Sequence, residues 1–336
     1  MTTKNEHNPS AAVVEFLRPE PSVRVSGQQL LARQWWGALL TVLLPTIATA
    51  LAIGLAVGRG VPTSAIVAWA VLHFATVIGI TVGFHRLAAH RTFDAHPLAQ
   101  SALLILGSMA AEGPVVHWVS NHRRHHQFSD QPQDVHSPRL FGSSKRELLR
   151  GFWHAHIGWM FQNEVTNAVR YSKDLLRNPQ VMRIHHLYLL WVAAGLLAPA
   201  AVIGVIEQSW LGALDGLLWG GFVRVCTVHH ATWSINSLTH LWGRRPFASN
   251  DHSTNLAWLA IPSGGESWHN CHHAFPGSAR LGLEWWQFDL GYIVIVALKK
   301  LQLASRVNVP AQAAIDRARQ RSSGTGDLLG GRDDAH

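Results

Sequence analysis

The 336-residue sequence predicts an all-α membrane protein: four transmembrane helices in two hairpins, with a cytoplasmic helical cap holding a cage of histidines. Three observations carry this expectation. Four apolar runs have the length of a bilayer span, 48% of the residues are hydrophobic against 14% charged, and the 22 histidines include three close-set boxes at or beyond the ends of those runs.

Residues 1–33 are polar, contain Pro9, Pro19 and Pro21, and lack an apolar core, so they read as a cytoplasmic tail rather than a cleavable signal. The integral domain is expected over 34–305. Its first span, 35–57, is about 23 residues or roughly 35 Å of helix, enough to cross a bilayer. The turn Gly58-Arg59-Gly60-Val61-Pro62 ends it, and the second span, 63–84, follows at once. A second hairpin joins spans 187–206 and 211–228 through Glu207-Gln208-Ser209. The run from Leu98 to Ala111 is about fourteen residues, which suits an interfacial or buried helix, and Ile293 to Leu298 is shorter still. Residues 306–336, with Ser322-Ser323-Gly324-Thr325-Gly326, read as a disordered tail.

The formal charge is +8. Arg18, Arg24, Arg33, Arg86, Arg91, Arg123, Arg124, Lys145, Arg146, Arg150, Arg244, Arg245, Lys299 and Lys300 all fall on one side of the four spans, and the outer loops offer only Arg59. By the positive-inside rule both termini and the polar part lie in the cytoplasm, which explains the charge without nucleic acid. Tryptophans 35, 36, 69, 191, 210 and 219 sit where an interfacial belt is expected. Two cysteines, Cys226 and Cys271, are too few for a disulfide framework and fit a reducing compartment.

The second span runs into His85-Arg86-Leu87-Ala88-Ala89-His90, followed by His122-Arg123-Arg124-His125-His126 and later His269-Asn270-Cys271-His272-His273. Helix positions i, i+3 and i+4 share a face, so each HxxHH aims three imidazoles at one point. The i, i+5 pair does not share a face in an ideal α-helix, so His85 and His90 need a helix end or a π-bulge to converge. Neutral imidazole suits Zn, Cu, Fe and Ni, and eight ring nitrogens exceed what one tetrahedral ion takes. At this histidine content roughly 0.1 HxxHH matches are expected by chance, against two observed. His7, His96, His117, His136, His154, His156, His185, His186, His252 and His336 read as surface or hydrogen-bonding residues, and His229 and His230 as interfacial. His73, inside the second span, is an ionisable group in an apolar setting and so a functional candidate. Cys271 points away from the ligand face and reads as packing.

At these boxes the sequence resembles the membrane fatty acyl desaturases of the stearoyl-CoA type, especially their bacterial branch. The likeness runs from about residue 35 to 300. It includes Asn121 before the first HxxHH, Asp134-Val135-His136-Ser137, His156-Ile157-Gly158-Trp159, Asn236-Ser237-Leu238-Thr239-His240 and Gly265-Glu266-Ser267-Trp268. The resemblance implies a di-iron centre held by nine histidines, the ninth being His240, with Asn236 reaching one iron through water. It implies one iron on His85, His90, His126 and His273 with Asn236, and a second on His122, His125, His240, His269 and His272.

The activity so implied is O₂-dependent insertion of a cis double bond, at Δ9, into a long-chain fatty acyl substrate, with acyl-CoA the first choice of carrier. An unactivated C–H bond needs an oxidant that redox-silent zinc cannot supply, hence iron. By resemblance Trp118, Thr232 and Trp233 line the bend of an acyl tunnel, and Val77 and His73 close its far end. The family's contacts to CoA are not matched, because Ser120, Asn121, Asn163 and Glu164 stand at those places; Arg123, Arg124, Arg139, Lys145, Arg146 and Arg150 are alternative phosphate contacts. Carriers other than CoA, namely membrane lipid or acyl carrier protein, stay open. The sequence has no CxxC cluster or nucleotide loop, so electrons are expected from a separate ferredoxin, rubredoxin, or cytochrome b5 with its reductase. The resemblance places the chain in the bacterial inner membrane. A related membrane hydroxylase could use the same cage, and a metal transporter would be expected to keep its ligands within the spans.

Overall fold

The computed structural model describes residues 22–329, with side chains described to Ser322. Expectations for residues 1–21 and for 330–336, including His7 and His336, lie outside the described residues. Four helices are long and apolar enough to cross a membrane: Gln28–Arg59, Thr63–Ala89, Tyr188–Ile206 and Trp210–His240. The expected hairpins are there, but three spans are longer than the apolar runs that announce them, the second reaching Ala89. The first begins at Gln28, ahead of the expected 35, and Gln34 within it reaches sideways to the carbonyls of Met160, Gln162 and Glu164 and so needs no water there. The fourth continues past 228 to His240, its polar last turns buried beneath the cap.

The four spans are not equivalent. The first and third expose most of their apolar side chains, including Ile47, Leu51, Leu189 and Val205, as lipid-facing helices do. The second and fourth are inner helices, and each is widened by a π-helical stretch, Gly79–Ala89 and Gly216–Val223. Close contact needs glycine at both places. A Cβ on Gly79 would stand 2.1 Å from the backbone N of Gly107, and one on Gly216 would stand 2.3 Å from the Pro199 carbonyl oxygen. Arg59 and the buried Asp215 pair at 2.5 Å, joining the first and fourth spans.

The run near residue 100 is a helix, Pro97–Met109, packed against the second span. Beyond it, Val115–Phe128 and Lys145–His156 build the cap, and Ser144 with Glu147 closes a capping box on the latter. The apolar run near 295 is a helix, Leu290–Lys300. The described part of the C-terminal stretch, expected to be disordered, includes a helix. Gln312–Leu329 is a helix whose Ile315 is buried with Phe247, Trp268, Cys271 and Leu281, and Arg319 pairs with Glu284. An apolar residue in an otherwise polar segment was enough to dock it.

Candidate metal centre

The three boxes and His240 converge on one place. The second span supplies His85 and, at its end, His90. In the π-helical stretch the His90 N–H donates to the His85 carbonyl at 3.0 Å, an i to i+5 bond that brings residues five apart onto one face, and the two ring centroids lie 4.9 Å apart. Helix Val115–Phe128 supplies His122, His125 and His126, and the fourth span supplies His240. The last box occupies a short helix, His269–Ala274, whose first turn is held because the Asn255 side-chain oxygen accepts from the N–H groups of Asn270 and Cys271.

Nine imidazoles fall into two groups. His85, His90, His122, His126 and His272 offer nitrogens within 4.8 Å of one another, and so do His125, His240, His269 and His273. The resemblance divides the nine differently, with His273 beside His85, His90 and His126, and with His122 and His272 beside His125, His240 and His269. His126 lies close to members of both sets: its ring is 4.6 Å from that of His122 and stacks on that of His273 at 4.5 Å between centroids.

Protonation chemistry shows what such a cluster is for. Four rings turn Nδ1 to a carboxylate: His85 to Glu266 at 2.5 Å, His125 to Asp134 at 2.8 Å, His240 to Asp130 at 3.0 Å and His273 to Asp251 at 2.5 Å. Nδ1–H donates in the His125, His240 and His273 pairs, so their Nε2 atoms keep a lone pair. Within the cage Nε2 atoms crowd one another: His85 to His272 at 3.0 Å, His126 to His272 at 2.8 Å, and His240 to His269 at 3.0 Å. Converging lone pairs need a cation between them. Four carboxylates are also the charge that two divalent cations balance, so the residues fit a two-metal centre.

The acids are held in turn. Asp134 accepts from the backbone N–H of Asp130, Asp130 from Ser137 and the His252 N–H, Asp251 from Ser253 and Ser249, and Glu266 from Thr81 and Arg86. Burial opposes ionisation of Asp130, Asp134, Asp251 and Glu266, but the facing imidazoles outweigh it and keep all four below the usual carboxylate range. Burial, reinforced by neighbouring imidazoles, holds His122, His126, His269 and His272 well below the ordinary histidine value, ready as neutral ligands. Burial alone would push His125 down, but Asp134 raises it instead.

The expected acyl-lining residues bound two adjoining cavities. The smaller, about 40 Å³, lies between the second and fourth spans beside the cage and is lined by Val77, Trp118, Thr232 and Asn236 among others. The larger, about 540 Å³, shares Trp118, Thr232 and Asn236 and adds Trp233. Trp118 stacks on His122 with ring centroids 5.1 Å apart. His73 lines neither. It is buried behind the smaller cavity, bonding Thr227 at 3.1 Å and the Pro262 carbonyl at 3.0 Å. Asn236 faces both cavities.

Two histidines read as surface or hydrogen-bonding residues are interior, and one of them, His156, is hydrogen-bonded. His136 is buried, 4.5 Å from the His125 ring, and His156 is buried against Ser237 and His230. Arg123 and Arg124 also differ from expectation. Arg123 pairs with Asp174, and the fully buried Arg124 pairs with Glu164, so neither is free for a phosphate. Asp130, Asp251 and Glu112 are site residues that the sequence did not single out. Asp130 and Asp134 lie within eight residues of the first HxxHH, which is the signal that was there to find.

Comparison with known proteins follows the same residues. The family model described as "Fatty acid desaturase" matches residues 62–294. A hex-5-enoyl-[acyl-carrier protein] acetylenase of Moorena producens is 43% identical, covering 89% of this chain and 94% of its own. An sn-1 stearoyl-lipid 9-desaturase of Anabaena variabilis is 37% identical over 69% of this chain and 79% of its own. An icosanoyl-CoA 5-desaturase of Limnanthes douglasii is 35% identical, at 76% and 68% coverage.

Proposed function

Because the chain belongs to the fatty acid desaturase family, we propose that it removes two vicinal hydrogens from an acyl chain at a di-iron centre, on the cytoplasmic side of a membrane. The observation that carries this reading is the pair of histidine groups with their carboxylate-held tautomers, set directly beside a cavity between spans. The balanced reaction converts –CH₂–CH₂–, O₂, two electrons and two protons into –CH=CH– and two waters. Iron bound at the two groups would supply the O₂-derived oxidant that an unactivated C–H bond requires.

The protein's own contributions follow from its side chains. The nine histidines and the four acids fix ligand number and orientation. Trp118, Thr232 and Trp233 hold the acyl chain at the junction of the two cavities, and Val77 with His73 behind it stops the chain. Asn236, facing the cage, is placed to act through a water. No sequence feature supplies electrons, so a ferredoxin, rubredoxin or cytochrome b5 system is the partner, with membrane lipid as the surroundings. The charge asymmetry supports a cage on the cytoplasmic side, and the resemblance supports a bacterial inner membrane. Arg86 and Arg124 add nothing to that asymmetry, because they are buried and paired internally.

The named relatives act on acyl groups carried by acyl carrier protein, lipid and CoA, so family alone does not choose the carrier. The ion pairs that occupy Arg123 and Arg124 weaken the case for a CoA nucleotide contact and for acyl-CoA at Δ9 in particular. A direct test is to incubate membranes holding the wild type or the His125→Ala variant with acyl panels, reductant and O₂. Products lighter by two hydrogens, absent in the variant, support desaturation. Products heavier by one oxygen would make the chain a hydroxylase, and identical profiles would refute both.

A further inference from the structure

A cation stands within the fourth span with no anion beside it. Arg224 lies midway along Trp210–His240 and is fully buried, and among the described residues no carboxylate pairs with it. An ionisable side chain so placed is costly, and its partners say what it is for. They are three backbone carbonyls: Nε donates to Gly220 at 3.2 Å, Nη1 to Met109 at 2.5 Å and Nη2 to Gly195 at 2.7 Å. Each of these carbonyls has lost the helical donor four residues ahead of it. In the π-helical stretch the Arg224 N–H bonds Trp219 and Gly221 and passes over Gly220. Pro199, inside the third span, has no N–H to give Gly195. Met109 ends its helix, and the Gly113 N–H goes to the Tyr188 hydroxyl at 3.0 Å instead. A bulge, a proline and a helix end thus converge on one guanidinium.

What the guanidinium holds is the turn after Met109. His229, five residues further along the same span, donates from Nε2 to the Ala110 carbonyl at 2.9 Å. Ala111 is kept at φ 62°, a conformation that non-glycine residues adopt at a cost, so the turn is held rather than relaxed. Its next residue, Glu112, accepts from Trp118 Nε1 at 3.1 Å and from the Thr232 hydroxyl. Trp118 in turn stacks on His122 of the cage, with ring centroids 5.1 Å apart and planes 15° apart. Trp118 and Thr232 also line both cavities. A continuous set of contacts therefore runs from Arg224 through the turn to the side chains that meet the acyl chain beside the metal centre.

We infer that Arg224 is a positioning residue that fixes the register of the acyl chain against the metal cage, and so which carbon pair loses hydrogen. This rests on the desaturase reading and deepens it. Arginine suits the task because its planar fork holds donors in fixed directions, whereas a lysine ammonium is a single point that cannot span three carbonyls on three elements. The site is also built around its size: a Cβ on Gly195 would stand 3.0 Å from Arg224 Nη2 and 3.1 Å from the Met109 Cβ.

The test locates the double bond in the product by mass spectrometry, using the iron-loaded enzyme in detergent with whichever acyl substrate the wild type accepts. In Arg224→Lys the ratio of displaced to wild-type double bonds should rise about tenfold or more, as expected from losing one hydrogen bond to a charged donor, with iron per chain unchanged. Pro199→Ala returns an N–H to the Gly195 carbonyl. Added to Arg224→Lys it should recover Tm while the double bond stays displaced, which a merely structural role does not allow. A second readout needs no turnover: without O₂, stearoyl chains brominated at successive carbons quench tryptophan fluorescence, and the carbon that quenches most should move in the variant. A lower Tm or rate with double bond and quenching carbon both unmoved overturns the inference and leaves Arg224 a support of the fold. Should the Arg224→Lys variants fail to fold, Gly195→Ala decides, since its methyl group displaces the guanidinium or the Met109 side chain; a folded Gly195→Ala enzyme with wild-type register overturns the inference. Unsaturated product at one unmoving position in every variant refutes the inference and keeps the desaturase reading. A moving quenching carbon with no unsaturated product from any enzyme does the reverse.

Discussion

A histidine is a useful metal ligand only when the right nitrogen is bare, and here the acids beside the rings decide that. Asp134, fully buried against His125 Nδ1, is the clearest case. Asp134→Asn keeps the shape and removes the charge that orients the ring, so it should weaken metal retention about 10–100-fold, read as metal per chain after dialysis against a chelator. Retention equal to wild type would show the acid to be incidental. Val77 tests the acyl end. Val77→Phe fills the small cavity and should shorten the preferred chain, Val77→Ala should lengthen it, and an unchanged product profile in both would remove Val77 from the binding path. The ligand boxes were legible because HxxHH places its rings by local periodicity alone. Asp130 and Asp251 were not, because their roles depend on which distant segment they meet: His240 lies 110 residues from Asp130.

At the scale of the element, the spans were legible from length and apolarity, and the need for a π-bulge was legible from the five-residue spacing of His85 and His90. The extent of the inner helices was not. Their polar ends look like loops in sequence, yet stay helical because the cap covers them. The helix of the second box packs against the π-helical stretch. That packing depends on Gly79. Gly79→Ala drives a methyl group into the backbone at Gly107 and should destabilise the protein by about 1–3 kcal/mol, seen as a lower Tm with metal loss in step. Removing the helix Gln312–Leu329 should also lower Tm, because it uncovers Phe247 and Trp268 beside the third box. A truncated protein melting with the intact one would mean that helix does not support the site.

For the whole molecule, two outer spans face lipid and two inner spans carry ligands, so the membrane core and the metal cage share helices. Loop charges then set the orientation. A reporter fused between Arg59 and Thr63 should be active only outside the cytoplasm, and one replacing the residues after Leu329 only inside it. The opposite pattern would invert the topology. The carrier was not legible at this scale from either family or charge, because the named relatives use three carriers and two of the basic residues that suggested a phosphate site, Arg123 and Arg124, are spent on internal ion pairs.

The central claim is that nine histidines in two groups hold a two-iron centre. Iron per chain, measured on purified wild type and on variants taken from each group, tests it most directly. The wild type should hold two irons per chain, and His126→Ala from one group and His269→Ala from the other should each bind fewer while remaining folded. One iron per chain in a wild type loaded to saturation, or two in both variants, would contradict it.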